Sequence, residues 1–265
     1  MYFAGREVGE GIEALRRAVR YILVAVGATA VAMAGSAPVG MAAVPGPISE
    51  PSVTAISPGK GDVVGIAATI EVTFAAPVTN RARAERSIDI ASKKTPAGSF
   101  TWLSNQTVQW APDQFWPAHS PISVTAGGFS TSFETGSAVK GVADIGDHTF
   151  TVTIDDQVVR QMPASMGKPK HPTPVGSFTA LAKEKSVVMD SRTIGIPLSD
   201  PEGYKLTVAD AVRITSGGVY VHSAPWSVGS QGNSNVSHGC INLSPDNAAW
   251  YFDTVRIGDP VIVQA

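Results

Sequence analysis

Between Val219 and Asn242 the chain reads VYVHSAPWSVGSQGNSNVSHGCIN, which brings two histidines, His222 and His238, into the same stretch as Cys240, the one cysteine of the sequence. A thiol attacks as the thiolate, and a free cysteine is mostly protonated at neutral pH. It therefore needs a base to take its proton and a third group to orient that base. Gly239, directly before the thiol, lets the backbone approach a substrate closely. The N–H groups of Gly239 and Cys240 could then form an oxyanion hole for a carbonyl under attack.

Other readings compete for these residues. His222, His238 and Cys240 are all zinc-ligand types, and His238 and Cys240 would point the same way in an extended segment. A zinc site usually takes three or four protein ligands, whereas His222 lies 16 residues from His238 and no fourth ligand is evident. Ser57-Pro58-Gly59-Lys60 and Ser165-Met166-Gly167-Lys168 fit the S-x-x-K pattern of serine penicillin-binding enzymes, but the companion S-D-N and K-T-G motifs are absent. A third reading is a non-enzymatic cell-wall binder in which Cys240 is buried filler.

The elements that must position this segment are mostly strands. Thr69–Phe74, Ile88–Ala91, Phe100–Leu103, Thr107–Ala111, Ile122–Thr125 and Phe129–Phe133 are short runs separated by turn residues, the first with clear period-two alternation. This strand count predicts a small β-sandwich, an immunoglobulin-like one by count alone because the Cys–Trp–Cys signature is missing. Trp102, Trp110 and Trp116 could be core or sugar-facing. Asn80–Arg86 reads either as a helical turn or as a solvated turn. The composition shift at Thr135–Asp147 is taken as a domain boundary. Beyond it, Phe150–Ile154 and Gln157–Pro163 predict a hairpin around Asp155-Asp156. Ser177–Ala180, Val187–Ile196, Leu206–Ile214 and Gly218–Val221 are further strand candidates. Ser244–Asp253 predicts a helix, with Ser244 as N-cap and Pro245 in the first turn. The expected organisation is 1–47 as signal or anchor plus linker, 48–136 as sandwich and 137–265 as catalytic domain. The fold class is mainly β with few short helices.

The 265 residues include 26 Gly and 19 Pro, which favours short strands and turns over a helical bundle. A net charge of −2 and a pI near 6.2 offer no basic surface, so no nucleic-acid partner is expected. Arg16, Arg17 and Arg20 precede the apolar run Tyr21–Ala34 and small residues follow, the layout of a secretory signal. Including Ala18 to Ala37 extends the run to the roughly 20 residues that span a bilayer, so an uncleaved anchor is the other reading. Either way the body of the chain is expected outside the cytoplasm, where structural cysteines come in pairs and a lone thiol calls for an explanation.

His222, 14 intervening residues, then Ser237-His238-Gly239-Cys240-Ile241-Asn242 resembles the active-site pattern of the YkuD-type L,D-transpeptidases. Pro172–Phe178 (PTPVGSF) resembles the family's second recurrent stretch, and a preceding immunoglobulin-like module is similar to the mycobacterial members. The resemblance implies a YkuD-type β-rich catalytic domain and ping-pong acyl transfer on peptidoglycan stem peptides, a donor tetrapeptide and an acceptor. Cys240 would be the nucleophile and His222 the general base and acid. The Ser223 carbonyl would orient the imidazole, and His238 would support geometry. Asn242 would position substrate. Tyr204, Met189 and Trp226 match the lid and its pocket, and Gly217 and Gly218 the backbone contacts to substrate. Ser186–Ala209 is the expected lid, which would keep the thioester dry. The resemblance also implies acylation by carbapenems and requires no cofactor or metal. A closely related outcome is an L,D-carboxypeptidase that hydrolyses the same thioester.

Overall fold

The computed structural model describes residues 51–265, so the export-signal expectation lies outside the described residues. The first part comprises β1 (Val53–Ser57), β2 (Val63–Val64), β3 (Ile70–Phe74), α1 (Arg81–Arg86), β4 (Ile88–Ser92), β5 (Gly98–Trp102), β6 (Thr107–Pro112), β7 (Pro121–Ala126) and β8 (Phe129–Thr135). They build two four-stranded sheets, β1-β3-β6-β5 and β2-β8-β7-β4. The alternation Ile70, Val72, Phe74 on β3 and Ile122, Val124, Ala126 on β7 puts both apolar faces into one core. Trp116 and Trp110 lie in that core, their rings 5.3 Å apart. Trp116 Nε1 donates to the Ala68 carbonyl at 2.9 Å, so these two tryptophans are core rather than sugar-facing. Of the two readings for Asn80–Arg86, the helix is the one present, with Asn80 Oδ1 accepting from Arg83 N.

The second part comprises β9 (Val139–Asp144), β10 (Thr149–Ile154), β11 (Gln157–Pro163), β12 (Gly176–Thr179), β13 (Ala182–Asp190), β14 (Lys205–Arg213), β15 (Tyr220–Ser223), β16 (Ile241–Leu243), α2 (Pro245–Thr254) and β17 (Pro260–Gln264). One sheet runs β11-β10-β9-β17-β12 and the other β13-β14-β15-β16. Phe150, Met162, Val221, Ile241, Leu243 and, from α2, Tyr251 and Phe252 share their core. Ser244 caps α2 through its Oγ, which accepts from Asn247 N, and Pro245 occupies the first turn where no N–H is needed.

Three segments differ from the sequence expectation. Within the stretch 135–147, where no strand is expected from the sequence, Val139–Asp144 is β9, paired with β10 and β17. Its inward positions are Val139, Gly141 and Ala143, and the small side chains weaken the apolar alternation that marks a strand. The run Val187–Ile196 breaks at Asp190, whose carboxylate accepts from Arg192 N and opens a 3-10 turn closed by Gly195 at φ +80°. Gly218, at φ +89°, cannot sit in a strand, so β15 begins at Tyr220.

Residues 51–265 fall within one compact unit. Backbone bonds join its two parts: Gly65 N to Ile257 O and Ala67 N to Gly258 O, both at 2.8 Å. At this joint a Cβ on Gly65 would stand 2.0 Å from Asp259 N, so only glycine fits. No helix among the described residues is long and apolar enough to cross a membrane.

Candidate active site

The strand register explains why residues far apart in sequence meet. β15 and β16 run parallel with Val221 opposite Ile241 and His222 opposite Asn242. Side chains alternate across a strand. Val221 and Ile241 therefore enter the core, while His222, Asn242 and, just before β16, Cys240 share the other face. That face opens into a cavity of about 480 Å³. One wall carries His222, Trp226, His238, Cys240 and Asn242, and the opposite wall carries Met189 from the end of β13 and Glu202, Gly203 and Tyr204 from the segment between β13 and β14. Ser223, Gly217, Gly218 and Gly239 lie outside the lining but beside it, through backbone atoms. Ser223 offers its carbonyl to His222, and Gly218 O is 3.9 Å from Cys240 Sγ. Gly217 is exposed in the same turn.

His222 is buried, and its Nδ1 donates to the Ser223 carbonyl at 2.8 Å. A carbonyl only accepts, so the proton sits on Nδ1 and the Nε2 lone pair is available as a base. Burial pushes this imidazole down to about 4 and the Cys240 thiol up to about 11. Both groups are thus neutral at pH 7. The resting site therefore holds no thiolate–imidazolium pair. Trp226 is more than half exposed, with its ring 6.0 Å from that of His222.

The loop before β16 is held by its own side chains. Ser237 Oγ donates to Cys240 O at 2.6 Å and accepts from Gly239 N at 3.0 Å. This corrects the oxyanion expectation for Gly239, whose N–H is already occupied. Thr173, in the Pro172–Phe178 stretch, donates from Oγ1 to Gly239 O and accepts from Gly167 N. With φ at +119°, Gly239 also holds a backbone conformation that suits glycine. Asn242 is buried and its Nδ2 donates to Ser227 Oγ, so its amide braces the wall behind the thiol.

Sequence reasoning did not find Lys168 and Glu202 as site residues. Lys168 entered only as the lysine of an S-x-x-K pattern, whose Ser165 is buried with Oγ donating to Ser234 O. Lys168 Nζ pairs with Glu202 and stands 3.2 Å from His238 Nε2. The ammonium donates, so Nε2 accepts. His238 is held below its usual range by burial first and by the Lys168 charge second. The His238 ring packs 5.0 Å from Tyr204 and 5.1 Å from His171. His171, Glu202 and His238 place ligand-type atoms within 4.8 Å of one another, a set different from the His222, His238 and Cys240 trio weighed from sequence. The Lys168 ammonium pairs with two of the three, so the chain supplies the positive charge this cluster attracts.

Known proteins resemble this chain over most of its length. Residues 139–263 match the family model described as the L,D-transpeptidase catalytic domain, YkuD, and residues 26–127 match a bacterial Ig domain. The chain is 55% identical over 249 residues to L,D-transpeptidase 1 of Mycobacterium tuberculosis, covering 94% of this chain and 99% of that one. A solved L,D-transpeptidase from Mycobacterium smegmatis superposes with a TM-score of 0.78 at 67% identity, covering 82% of this chain and all of that one. An L,D-transpeptidase solved in complex with imipenem gives 0.77 at 57% identity, covering 81% and 99%. Because the resemblance extends over nearly the whole of a relative at this identity, and the register of β15 and β16 sets a buried histidine beside the only thiol, the chain belongs to the YkuD family of L,D-transpeptidases, with an N-terminal Ig-like domain.

Proposed function

We propose that this protein is a peptidoglycan L,D-transpeptidase that forms 3→3 cross-links through a Cys240 thioester. Cys240 attacks the carbonyl at the L-centre of meso-diaminopimelate, the third residue of a donor tetrapeptide. His222 takes the thiol proton on Nε2 and returns it to the departing D-alanine amine. In the second half-reaction the side-chain amine of diaminopimelate on an acceptor stem attacks the thioester. His222 accepts its proton, and the thiol is restored as the C–N bond forms and the C–S bond breaks. The Ser223 carbonyl keeps His222 in the tautomer this sequence needs. With Gly239 N–H engaged by Ser237, the Cys240 N–H is the donor that faces the developing oxyanion. Met189, Tyr204 and Trp226 border the donor peptide, Gly217 and Gly218 meet it through backbone atoms, and Asn242 and His238 support the site.

The observation that carries this reading is the pairing of His222 with the Cys240 strand, with Nδ1 committed to Ser223 O. An extracytoplasmic role in the cell wall follows from family membership. We place the chain on the outer side of the plasma membrane, with its N-terminal segment either cleaved or retained as an anchor, and residues 48–136 and 137–265 as its two domains. Incubation with a carbapenem and intact-mass measurement tests the site. One adduct, mapped to Cys240 and absent from Cys240→Ala and from His222→Ala, is expected. No adduct, or one elsewhere, overturns it.

A further inference from the structure

We infer that Glu202, paired with Lys168, is a positioning residue: a single-carboxylate latch that holds the lid against the thiol-bearing wall and sets how much thioester goes to amine and how much to water. The inference rests on the thioester reading above.

Of the expected lid Ser186–Ala209, the ends belong to β13 and β14, and the lid proper is the connection 191–204, which is braced internally. Ser191 N donates to Tyr204 O, Tyr204 N donates to Ser191 Oγ, and that hydroxyl donates to Ile196 O. Gly203 N donates to Asp200 O, and Glu202 N donates to the Asp200 carboxylate. These bonds make the segment a preformed piece, yet they stay within it. Among the described residues, the hydrogen bonds and ion pairs that cross from this piece to the facing wall all end on the Glu202 carboxylate. They come from Lys168, from Lys170 at 2.7 Å and from His171 at 3.4 Å.

The other side of the latch is fixed to the nucleophile's own segment. Lys168 N donates to Ser237 O at 3.0 Å, and Gly167 bridges to Ser237, three residues before Cys240. Lys168 Nζ also reaches His238 Nε2. One ammonium therefore ties Glu202 on the lid to the loop that carries the thiol. Two residues from Glu202, Tyr204 sets its ring over His238. Releasing the carboxylate frees the lid at one point and lifts Tyr204 from the cavity mouth. Water then reaches the thioester, attacks the carbonyl, and leaves a free tripeptide acid and the regenerated thiol. A well-seated acceptor amine would instead form the cross-link.

The test uses purified protein and disaccharide-tetrapeptide as both donor and acceptor, and measures the ratio of tripeptide to cross-linked dimer. Glu202→Gln is expected to raise that ratio about fivefold, and Lys168→Met to raise it by less, because Lys170 and His171 still reach the carboxylate. The double variant should match Glu202→Gln, and Lys168→Arg alone should keep the wild-type ratio. Intact-mass acylation of Cys240 by a carbapenem is followed in every variant. A ratio unchanged in Glu202→Gln, with acylation retained, overturns the latch. If Glu202→Gln does not fold, Lys168→Met decides by the same criterion. Absence of acylation in the wild type overturns the thioester reading itself.

Discussion

The resting site holds a neutral thiol beside a neutral imidazole, and this has a measurable consequence. With Cys240 at about 11 and His222 at about 4, moving the proton between isolated groups costs on the order of 10 kcal/mol. Attraction between the resulting ions recovers at most about 4 kcal/mol, the value for charges about 4 Å apart at an effective dielectric near 20. A net cost of about 5 kcal/mol keeps the ion pair below roughly one molecule in a thousand. Alkylation by iodoacetamide at pH 7 should therefore be slower than that of free cysteine, by on the order of a hundredfold, because burial holds the thiol protonated. Carbapenem acylation needs His222 only as a neutral base. Its rate should stay level from about pH 5.5 upward and fall tenfold per pH unit below about pH 4, where the buried imidazole takes its proton, rather than below its unperturbed 6.5. Circular dichroism must accompany the low-pH points, since a histidine buried neutral makes folding less favourable as pH falls from 6.5 toward 4. An alkylation rate above that of free cysteine, level between pH 5 and 8, would show a resident thiolate and refute the reasoning.

Three further outcomes are expected. Asp259 is fully buried at the joint, with Oδ2 accepting from Arg256 N, and burial raises its carboxyl to about 6. The folded state therefore binds the proton more tightly than the unfolded state, and the charge destabilises as pH rises through that window. Asp259→Asn should gain about 1–3 kcal/mol at pH 8 and nothing at pH 4, read by denaturant melts. Gly65→Ala pushes a methyl group into the Asp259 backbone and should cost about 3 kcal/mol or more, with new proteolytic cleavage near residues 136–138. Thr173→Val removes the donor to Gly239 O and the acceptor for Gly167 N, and should cost about 1–3 kcal/mol and slow acylation while leaving the His222 pH limb in place.

The parts legible in the sequence are those with short-range signals. The spacing from His222 to the Ser237–Asn242 motif marks residues that β15 and β16 set on one face, and the apolar alternation of Ile70–Phe74 marks a strand. Ser244-Pro245 marks the start of α2. Where the signal depends on partners distant in sequence, it fails. β9 presents Val139, Gly141 and Ala143 inward, and only pairing with β17, more than a hundred residues on, shows it to be a central strand. Lys168 and Glu202 are 34 residues apart on loops without periodicity, so nothing local joins them. The engagement of Gly239 N–H depends on the direction taken by the Ser237 hydroxyl, which residue type does not fix.

The central claim is that Cys240 transfers a tetrapeptide acyl group to an amine. Purified protein incubated with disaccharide-tetrapeptide, with the products resolved by mass spectrometry, tests it most directly. The account predicts 3→3 linked dimers with one D-alanine released per cross-link, and none from Cys240→Ala. Dimers formed equally by Cys240→Ala, or tripeptide alone from the wild type, would contradict it.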